Sequence, residues 1–370
     1  MKNIFTYRSP GNKKNLLLHY KSISSNFHKI DNKHTNNWEI SEMIRIFIAL
    51  GWNVELVDRR CKNWSPSSDY DLFISNASGS LGSFFVKMSE QIPDVKTVMY
   101  AAGPAVDVSD TLVDERYDNF RLRHGIAEDT RHLRTFRTDI DTIMHFVDEV
   151  ICIDDNGFSS KTYKRFKKPI HKLQPSSPRD SFDGQLRRFN KNRSGFLLFL
   201  GNGFIAKGAD VVLDVFKNFP NAHLQVCGPY KQDEFFWSFY KSKLRNMKNV
   251  TLNGFVRVGS RRYFNLVEQS AWQIHNSAAE GCATSVTTLL QSGIVPISNY
   301  ETGVDVRDFG IEISNWNRNF LESTQEAIDV ALSVSDSSFK NYIGNLYFSA
   351  KRFTQNAFRT NFAEIIQKII

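Results

Sequence analysis

At 370 residues the chain is longer than one hydrophobic core usually organises, so two domains are expected. A hydrophobic fraction of 41% with 13% aromatics excludes a disordered protein, and the absence of any run of about 18 apolar residues excludes a membrane-spanning helix. The net charge of +8 is spread along the chain without a long basic block, which leaves an anionic ligand or an acidic membrane surface open as partners. Nucleic acid is not expected, because zinc-finger spacing, a heptad-backed basic region and aromatic ribonucleoprotein motifs are all missing.

The opening "MKNIFTYRSPGNKKN" lacks the apolar core and cleavage site of a secretory signal, so a cytoplasmic protein is expected. Cys61, Cys152, Cys227 and Cys282 are too scattered for a paired-cysteine motif and read as reduced, mostly buried thiols rather than disulfides or metal ligands.

In chain order, "NLLLHY" predicts a buried strand and "NNWEISEMIRIFIAL" a helix, with Trp38, Met43, Ile44, Phe47 and Leu50 near helical spacing and Gly51 as its stop. "NVELVD" and "YDLFISN" are the next strands, followed by a helix at "SFFVKMSEQI" and a strand at "VKTVMYA". Helices around 110–124 and 137–147, the strand "EVICID" and a short helix near "SKTYKRF" complete the first half. Between about 174 and 194 the periodicity lapses into Pro, Ser, Gly, Asn and charge, the composition of a linker.

A second series then begins: "FLLFLG", a helix at "GADVVLDVFKNF", "AHLQVCG", a helix over "FFWSFYKSKLRNM", "VTLNGFV", a helix at "RRYFNLVEQS", "WQIHN", a helix after Glu280 and "IVPIS". From about 319 the pattern is helical only. Alternation of strand and helix predicts parallel sheets covered on both faces. The expected layout is a first α/β domain over 1–174, a linker over 175–194, a second α/β domain over 195–318 and a helical tail over 319–370 that packs back toward the first domain.

Ligands of open parallel sheets bind beyond the carboxyl ends of the strands. At such an end, "FLGNGFIAKGADVV" carries Asn202, Gly203, Lys207 and Gly208 into a helix start. A lysine there opposes the helix dipole unless an anion lies between them, although a solvated lysine after a glycine loop is also common. The run from Ser277 to Gly281 places Glu280 before small residues that let a backbone approach a ligand; Glu280 is equally readable as a first-turn acid stabilised by the dipole. "VCGPY" and "NGFVRVG" end two further strands and either wall a base pocket or only turn the chain.

Taken in order, these pieces resemble the carboxyl-terminal domain of GT-B-fold glycosyltransferases, particularly the large retaining family that includes bacterial mannosyltransferases and lipopolysaccharide glucosyltransferases. The matching residues are Gly201, Lys207, Gly208, Gly228, Gly254, Phe255, Val256, Ser277, Glu280 and Gly281, continuing through "LLQSGIVPIS" and the Glu301 to Gly303 turn. The resemblance implies two Rossmann-like doubly wound domains facing across a cleft. It implies that Lys207 pairs with the diphosphate of a sugar nucleotide, that Glu280 touches sugar hydroxyls, and that N–H groups of Gly281, Cys282, Ala283 and Thr284 hold phosphate and sugar. Phe255 and Val256 would flank the base.

Departures accompany the match. Asn202 stands where the family has an arginine, so a charged diphosphate partner becomes a neutral donor. Thr288 stands where a second glutamate holds the ribose, offering a hydroxyl in place of a carboxylate. The first half resembles the acceptor domain more loosely: "HTNNWE", from His34 to Trp38, leads into a helix, and "YAAGPAVDVSD" lacks the family's histidine. There Asp107 and Asp110 read either as a base for an inverting reaction or as helix caps. Arg116, Arg121, Arg123, Arg131, Arg134 and Arg137 read as a solvated helix face or as a contact for an anionic acceptor or lipid headgroups.

The implied protein is a metal-independent glycosyltransferase, retaining by resemblance, that moves a sugar from a nucleotide-sugar donor to a saccharide or lipid-linked glycan in surface polysaccharide or lipopolysaccharide biosynthesis. No cofactor is expected, and contact with an acidic membrane would place it at the inner face of the cell membrane. The alternatives are a non-catalytic protein of the same fold that binds a glycan or a partner, and a sugar-nucleotide epimerase.

Overall fold

Runs that are apolar on both sides of a strand need cover on both faces, and this chain supplies it with helices. The computed structural model describes residues 4–11, 14–21, 35–61, 64–66, 68–77, 80–126, 135–178, 192–314 and 319–370. The elements of the first half are β1 (Ile4–Tyr7), β2 (Asn15–Tyr20), α1 (Thr35–Ala49), β3 (Asn53–Asp58), β4 (Leu72–Ser75), α2 (Ser80–Gln91), β5 (Lys96–Ala101), α3 (Val106–His124), α4 (Ile140–His145), β6 (Glu149–Ile153), α5 (Phe158–Tyr163) and β7 (Ile170–Leu173). They build a sheet of order β1-β3-β2-β4-β5-β6-β7 in which only β1 is antiparallel. Counted from β2, the parallel part runs 2-1-3-4-5-6, a doubly wound order of the flavodoxin type with one strand added.

The second half contributes β8 (Gly195–Phe199), α6 (Ala209–Phe216), β9 (His223–Cys227), α7 (Glu234–Arg245), β10 (Val250–Gly254), α8 (Arg261–Gln269), β11 (Trp272–His275), α9 (Thr284–Leu290), β12 (Val295–Ser298), β13 (Ile311–Glu312), α10 (Phe320–Ser333), α11 (Asp336–Ser349) and α12 (Gln355–Ile369). Its sheet is parallel throughout, in the order β10-β9-β8-β11-β12-β13. Counted from β8 that is 3-2-1-4-5-6, the order of nucleotide-binding Rossmann sheets. The two halves are thus both doubly wound but differ in strand order. The sequence pattern does not predict β1, β7 or β13. Each lies at a sheet edge, is at most four residues long, and pairs on one side only, so it carries little apolar signal.

By contacts the chain forms two compact units, one of Met1–Asp110, Phe136–Pro178 and Phe353–Ile370, the other of Thr111–Thr135 and Arg179–Arg352. The sequence places the boundary at 174, whereas the second unit also claims most of α3. Phe120 of α3 is fully buried, with its ring 5.8 Å from that of Phe235 and 5.1 Å from that of Phe239 on α7, and Arg123 pairs with Asp210 and Asp214 of α6. A solvated basic face is therefore not what α3 presents at these positions. Arg116 is wholly buried and the Arg123 side chain is only 14% exposed, because α3 needs that face for packing; Arg121 pairs with Asp118 within the helix. Arg131, Arg134, His34 and the greater part of the expected linker, 179–191, lie outside the described residues.

The helical end divides. Phe339 of α11 packs its ring 5.1 Å from that of Trp272 in the second unit, while α12 belongs to the first. There Phe358 meets Trp38 at 5.8 Å, Phe362 meets Phe47 at 6.3 Å, and Arg359 pairs with the buried Glu42. One turn away, Glu39 accepts hydrogen bonds from the Ser176 N–H at 2.8 Å and hydroxyl at 3.1 Å, and burial pushes its carboxyl up to about 7. No disulfide joins the four cysteines; Cys152, Cys227 and Cys282 are buried and Cys61 is half-buried.

Phe362 has no exposed surface, and removing its ring leaves a cavity between α1 and α12. Phe362→Ala is expected to cost about 3–5 kcal/mol in urea unfolding. A loss under about 1 kcal/mol would mean that α12 is not integral to the first unit.

Candidate functional site

The strand order of the second sheet reverses between β8 and β11, and at such a switch point the connections leave in opposite directions and open a crevice beyond the strand ends. The loop after β8 brings Lys207 there and the loop after β11 brings Glu280. Their side chains form a close ion pair and are only 10% and 17% exposed. Ser277 donates its hydroxyl to Glu280 Oε1 at 3.5 Å.

Glycines let these loops mesh. The Lys207 N–H donates to the Gly203 carbonyl at 3.0 Å and that of Gly208 to Ile205 at 2.9 Å, closing a tight turn before α6. Gly208 has φ +76°, and a Cβ on it would overlap the Asn276 carbonyl oxygen. Two residues on, the Ala278 N–H donates to the Ala206 carbonyl at 2.8 Å. From the other side, a Cβ on Gly303 (φ +75°) would overlap the Gly281 carbonyl oxygen. The Glu280 N–H donates to Glu301 and the Ala283 N–H to Thr302, both at 2.9 Å. Asn299 Nδ2 spans the Ser277 carbonyl at 2.7 Å and the Glu301 carboxylate at 2.8 Å. Gly228, at φ +136°, abuts the Leu200 carbonyl, and its N–H donates to the Gly254 carbonyl at 2.8 Å, so the ends of β9 and β10 join the same edge.

Lys207, Glu280, Gly203, Gly281, Cys282, Ala283 and Thr284 thus belong to loops that touch one another, with Asn202 exposed at the rim. Thr288 lies one turn into α9, 6% exposed, and donates its hydroxyl to the Thr284 carbonyl at 2.6 Å. Val256 packs in the core with Leu197, Tyr263 and Leu289, while Phe255 is 76% exposed. Asp107, in the first turn of α3, belongs to the first unit and pairs with Arg165 at 2.6 Å. Asp110 accepts the backbone N–H groups of Phe136 and Arg137 at 2.9 and 2.7 Å, a tether for that segment.

Several polar residues here carry no signal in the sequence pattern. His275, the last residue of β11, is buried beneath Ser285, whose hydroxyl lies 3.4 Å from Nδ1. Burial, helped by the charge of Lys207 and opposed by that of Glu280, lowers its pKa to about 3, so the ring is neutral. Asp210 is wholly buried in the first turn of α6 and paired with Arg123; its desolvation raises its pKa. Arg116 donates through one nitrogen to the Asn276 carbonyl at 3.0 Å and to its Oδ1 at 3.1 Å. Among the described residues, Trp272 alone of the largest fully buried side chains stands above Arg116 in size, and a sequence pattern that treats arginine as solvent-facing passes over its burial.

Chemically, Lys207 offers N–H donors to an anion and Glu280 accepts from hydroxyls, each neutralising the other meanwhile. Among the described residues, no three His, Cys, Asp or Glu side chains gather as a metal would need, and no helix is long and apolar enough to cross a membrane. A cavity of about 590 Å³ lies in the first unit between α2 and residues 136–143, bordered by Lys87, Glu90, Phe136 and Arg137; of the residues that the sequence offers as ligand contacts, Arg137 lines it and those expected to hold the donor do not.

Gly208→Ala is expected to destabilise by more than the roughly 1–2 kcal/mol of left-handed strain, because the overlap adds to it; an unchanged melting temperature would contradict the meshed-loop description. His275 supplies a pH test. Its native pKa lies below the ordinary 6.5, so between about 3 and 6.5 the unfolded chain holds a proton that the native chain does not. Its contribution is present above pH 6.5 and lost as pH falls. His275→Asn should therefore flatten the fall of unfolding free energy between pH 6.5 and 4, and a parallel fall in both proteins would refute it.

No protein-family model matches the chain, and no curated protein matches it. Among solved structures, sucrose-phosphate synthase from Thermosynechococcus elongatus is similar over 96% of this chain and 99% of that chain, with a TM-score of 0.64 and 11% identity. Anabaena HepE in complex with UDP and glucose is similar over 96% of this chain and 100% of that chain, with a TM-score of 0.61 and 12% identity. WaaG, a glycosyltransferase involved in lipopolysaccharide biosynthesis, is similar over 96% of this chain and 99% of that chain, with a TM-score of 0.55 and 14% identity. At such identities the likeness reaches the architecture, and the chain has the α/β GT-B fold of these proteins.

Proposed function

We propose that the protein is a nucleotide-sugar-dependent glycosyltransferase whose second unit binds the donor. The observation that carries this reading is the Lys207–Glu280 pair at the switch point of a 3-2-1-4-5-6 sheet. A GT-B fold shared with HepE, whose structure holds UDP and glucose, supports it. An ion pair this largely screened from water is a costly way to finish a loop, since replacing such a pair with apolar residues is often neutral or stabilising, whereas it suits a site that takes a ligand with both an anion and hydroxyls.

In this reading Lys207 draws the diphosphate and stabilises the charge that grows on it as the sugar departs, and Glu280 orients the sugar by accepting from its hydroxyls. Transfer retains the anomeric configuration and needs no metal ion. The first unit receives the acceptor, a saccharide or lipid-linked glycan of a surface polysaccharide, and the net positive charge favours contact with an acidic membrane at the inner face of the cell.

A second reading is a glycan- or partner-binding protein of this fold without turnover. It is favoured by Thr288, whose hydroxyl is turned back onto its own helix.

Calorimetric titration with UDP, GDP, ADP, CMP and their common sugar conjugates tests the proposal. One nucleotide should bind, and Lys207→Ala should weaken it about 10–100-fold, the loss of a hydrogen bond to a charged group. Sugar transfer should vanish in Glu280→Ala. No binding at millimolar concentration would reject donor binding, and binding without transfer or donor hydrolysis would favour the second reading.

A further inference from the structure

We propose that Arg116 is a positioning residue of the candidate donor site: by gripping Asn276 it fixes the turn that presents Glu280 and against which the Lys207 loop is packed. Through the two hydrogen bonds it gives Asn276, it acts on the backbone that carries Lys207 and Glu280. The consequence for ligand binding rests on the proposed function; the positioning itself does not.

A wholly buried guanidinium is expensive, and α3 has an apolar face at this point, with Val113, Tyr117 and Phe120 also buried. Arg116 reaches both oxygens of Asn276 from one terminal nitrogen, and its guanidinium carbon stands 4.5 Å from the centre of the Phe320 ring. The carboxylates of Asp210 and Glu301 favour its charge. Asn276 is thereby held on every side. Its carbonyl faces Arg116 and the side-chain-free Gly208, its Oδ1 accepts from Arg116, and its Nδ2 donates to the Thr324 hydroxyl at 2.8 Å.

The course of the chain after Asn276 depends on this anchor. Ser277 gives its carbonyl to Asn299, Ala278 donates to Ala206 one residue before Lys207, and Glu280 is fixed through its N–H on Glu301. Loss of the guanidinium would leave two buried oxygens without that donor and free the Asn276 peptide to rotate, with Ala206 and Ala278 next in the chain of contacts.

Hydrogen exchange by mass spectrometry separates positioning from general stabilisation. In Arg116→Met, amides of 203–209 and 276–283, which include Lys207, Gly208, Ala278, Glu280 and Ala283, should exchange at least about tenfold faster, while those of β8, β9 and β12 keep wild-type rates. Arg116→Lys, a single-point donor that cannot match the planar fork, should show the same pattern more weakly, and it decides the matter alone if the methionine variant does not fold. Wild-type exchange over both segments in every folded variant, or acceleration spread evenly over the second unit, overturns the proposal. Titration of the same variants with whichever of UDP, GDP, ADP and CMP the wild type binds reads the consequence, with weaker binding by about tenfold expected. Failure of the wild type to bind any of the four would count against the proposed function and leave the exchange pattern to judge Arg116.

Discussion

The carbonyl oxygen of Asn276 occupies the place where a side chain on residue 208 would be, and the working edge of the second sheet depends on that approach. Two loops that leave adjacent strands in opposite directions would ordinarily diverge. Here glycines with positive φ at 208 and 303 let backbone meet backbone on both flanks of the 276–283 loop. Hydrogen bonds then convert proximity into register, from Ala278 to Ala206, Glu280 to Glu301 and Ala283 to Thr302. Lys207 and Glu280 meet because the peptides beneath them have few alternatives.

Charge is the second theme, and it is arranged in layers. The Lys207–Glu280 pair is partly exposed, where an anion can exchange with the carboxylate. Below it His275 is neutral, since burial and the nearby lysine both oppose its protonation. Deeper still, the buried Arg116 faces the buried Asp210 on α6, which Arg123 pairs from nearer the surface. Isolated, any of these groups would cost several kcal/mol to bury; facing one another, they give the loops a unique arrangement.

The first unit organises its carboxyl groups differently. Glu39 and Glu42 lie along the first turns of α1, the one anchoring Ser176 and the other pairing with Arg359, so α12 is fastened to the first helix. Asp107 and Asp110 likewise serve a partner arginine and two backbone N–H groups. Among the described residues, the buried polar network of the second unit, by contrast, converges on the loops at the carboxyl ends of the strands, where doubly wound sheets hold ligands.

By itself the sequence determined the α/β class, the alternation of strands and helices, and the glycine, lysine and glutamate positions at the strand ends. All of these are local: an apolar run of four to six residues, a helical period, or a residue type at a strand's carboxyl end is visible in one dimension. The tertiary structure alone decided the differing strand orders, the edge strands β1, β7 and β13, the allegiance of α3, and the division of the helical tail, of which α12 joins the first unit as expected while α10 and α11 stay with the second. It also decided that Arg116 is interior and that the Thr288 hydroxyl bonds to its own helix. Strand order depends on pairing between residues far apart, edge strands bury too little to leave a pattern, and whether an arginine meets water or a carbonyl depends on what another segment brings to it.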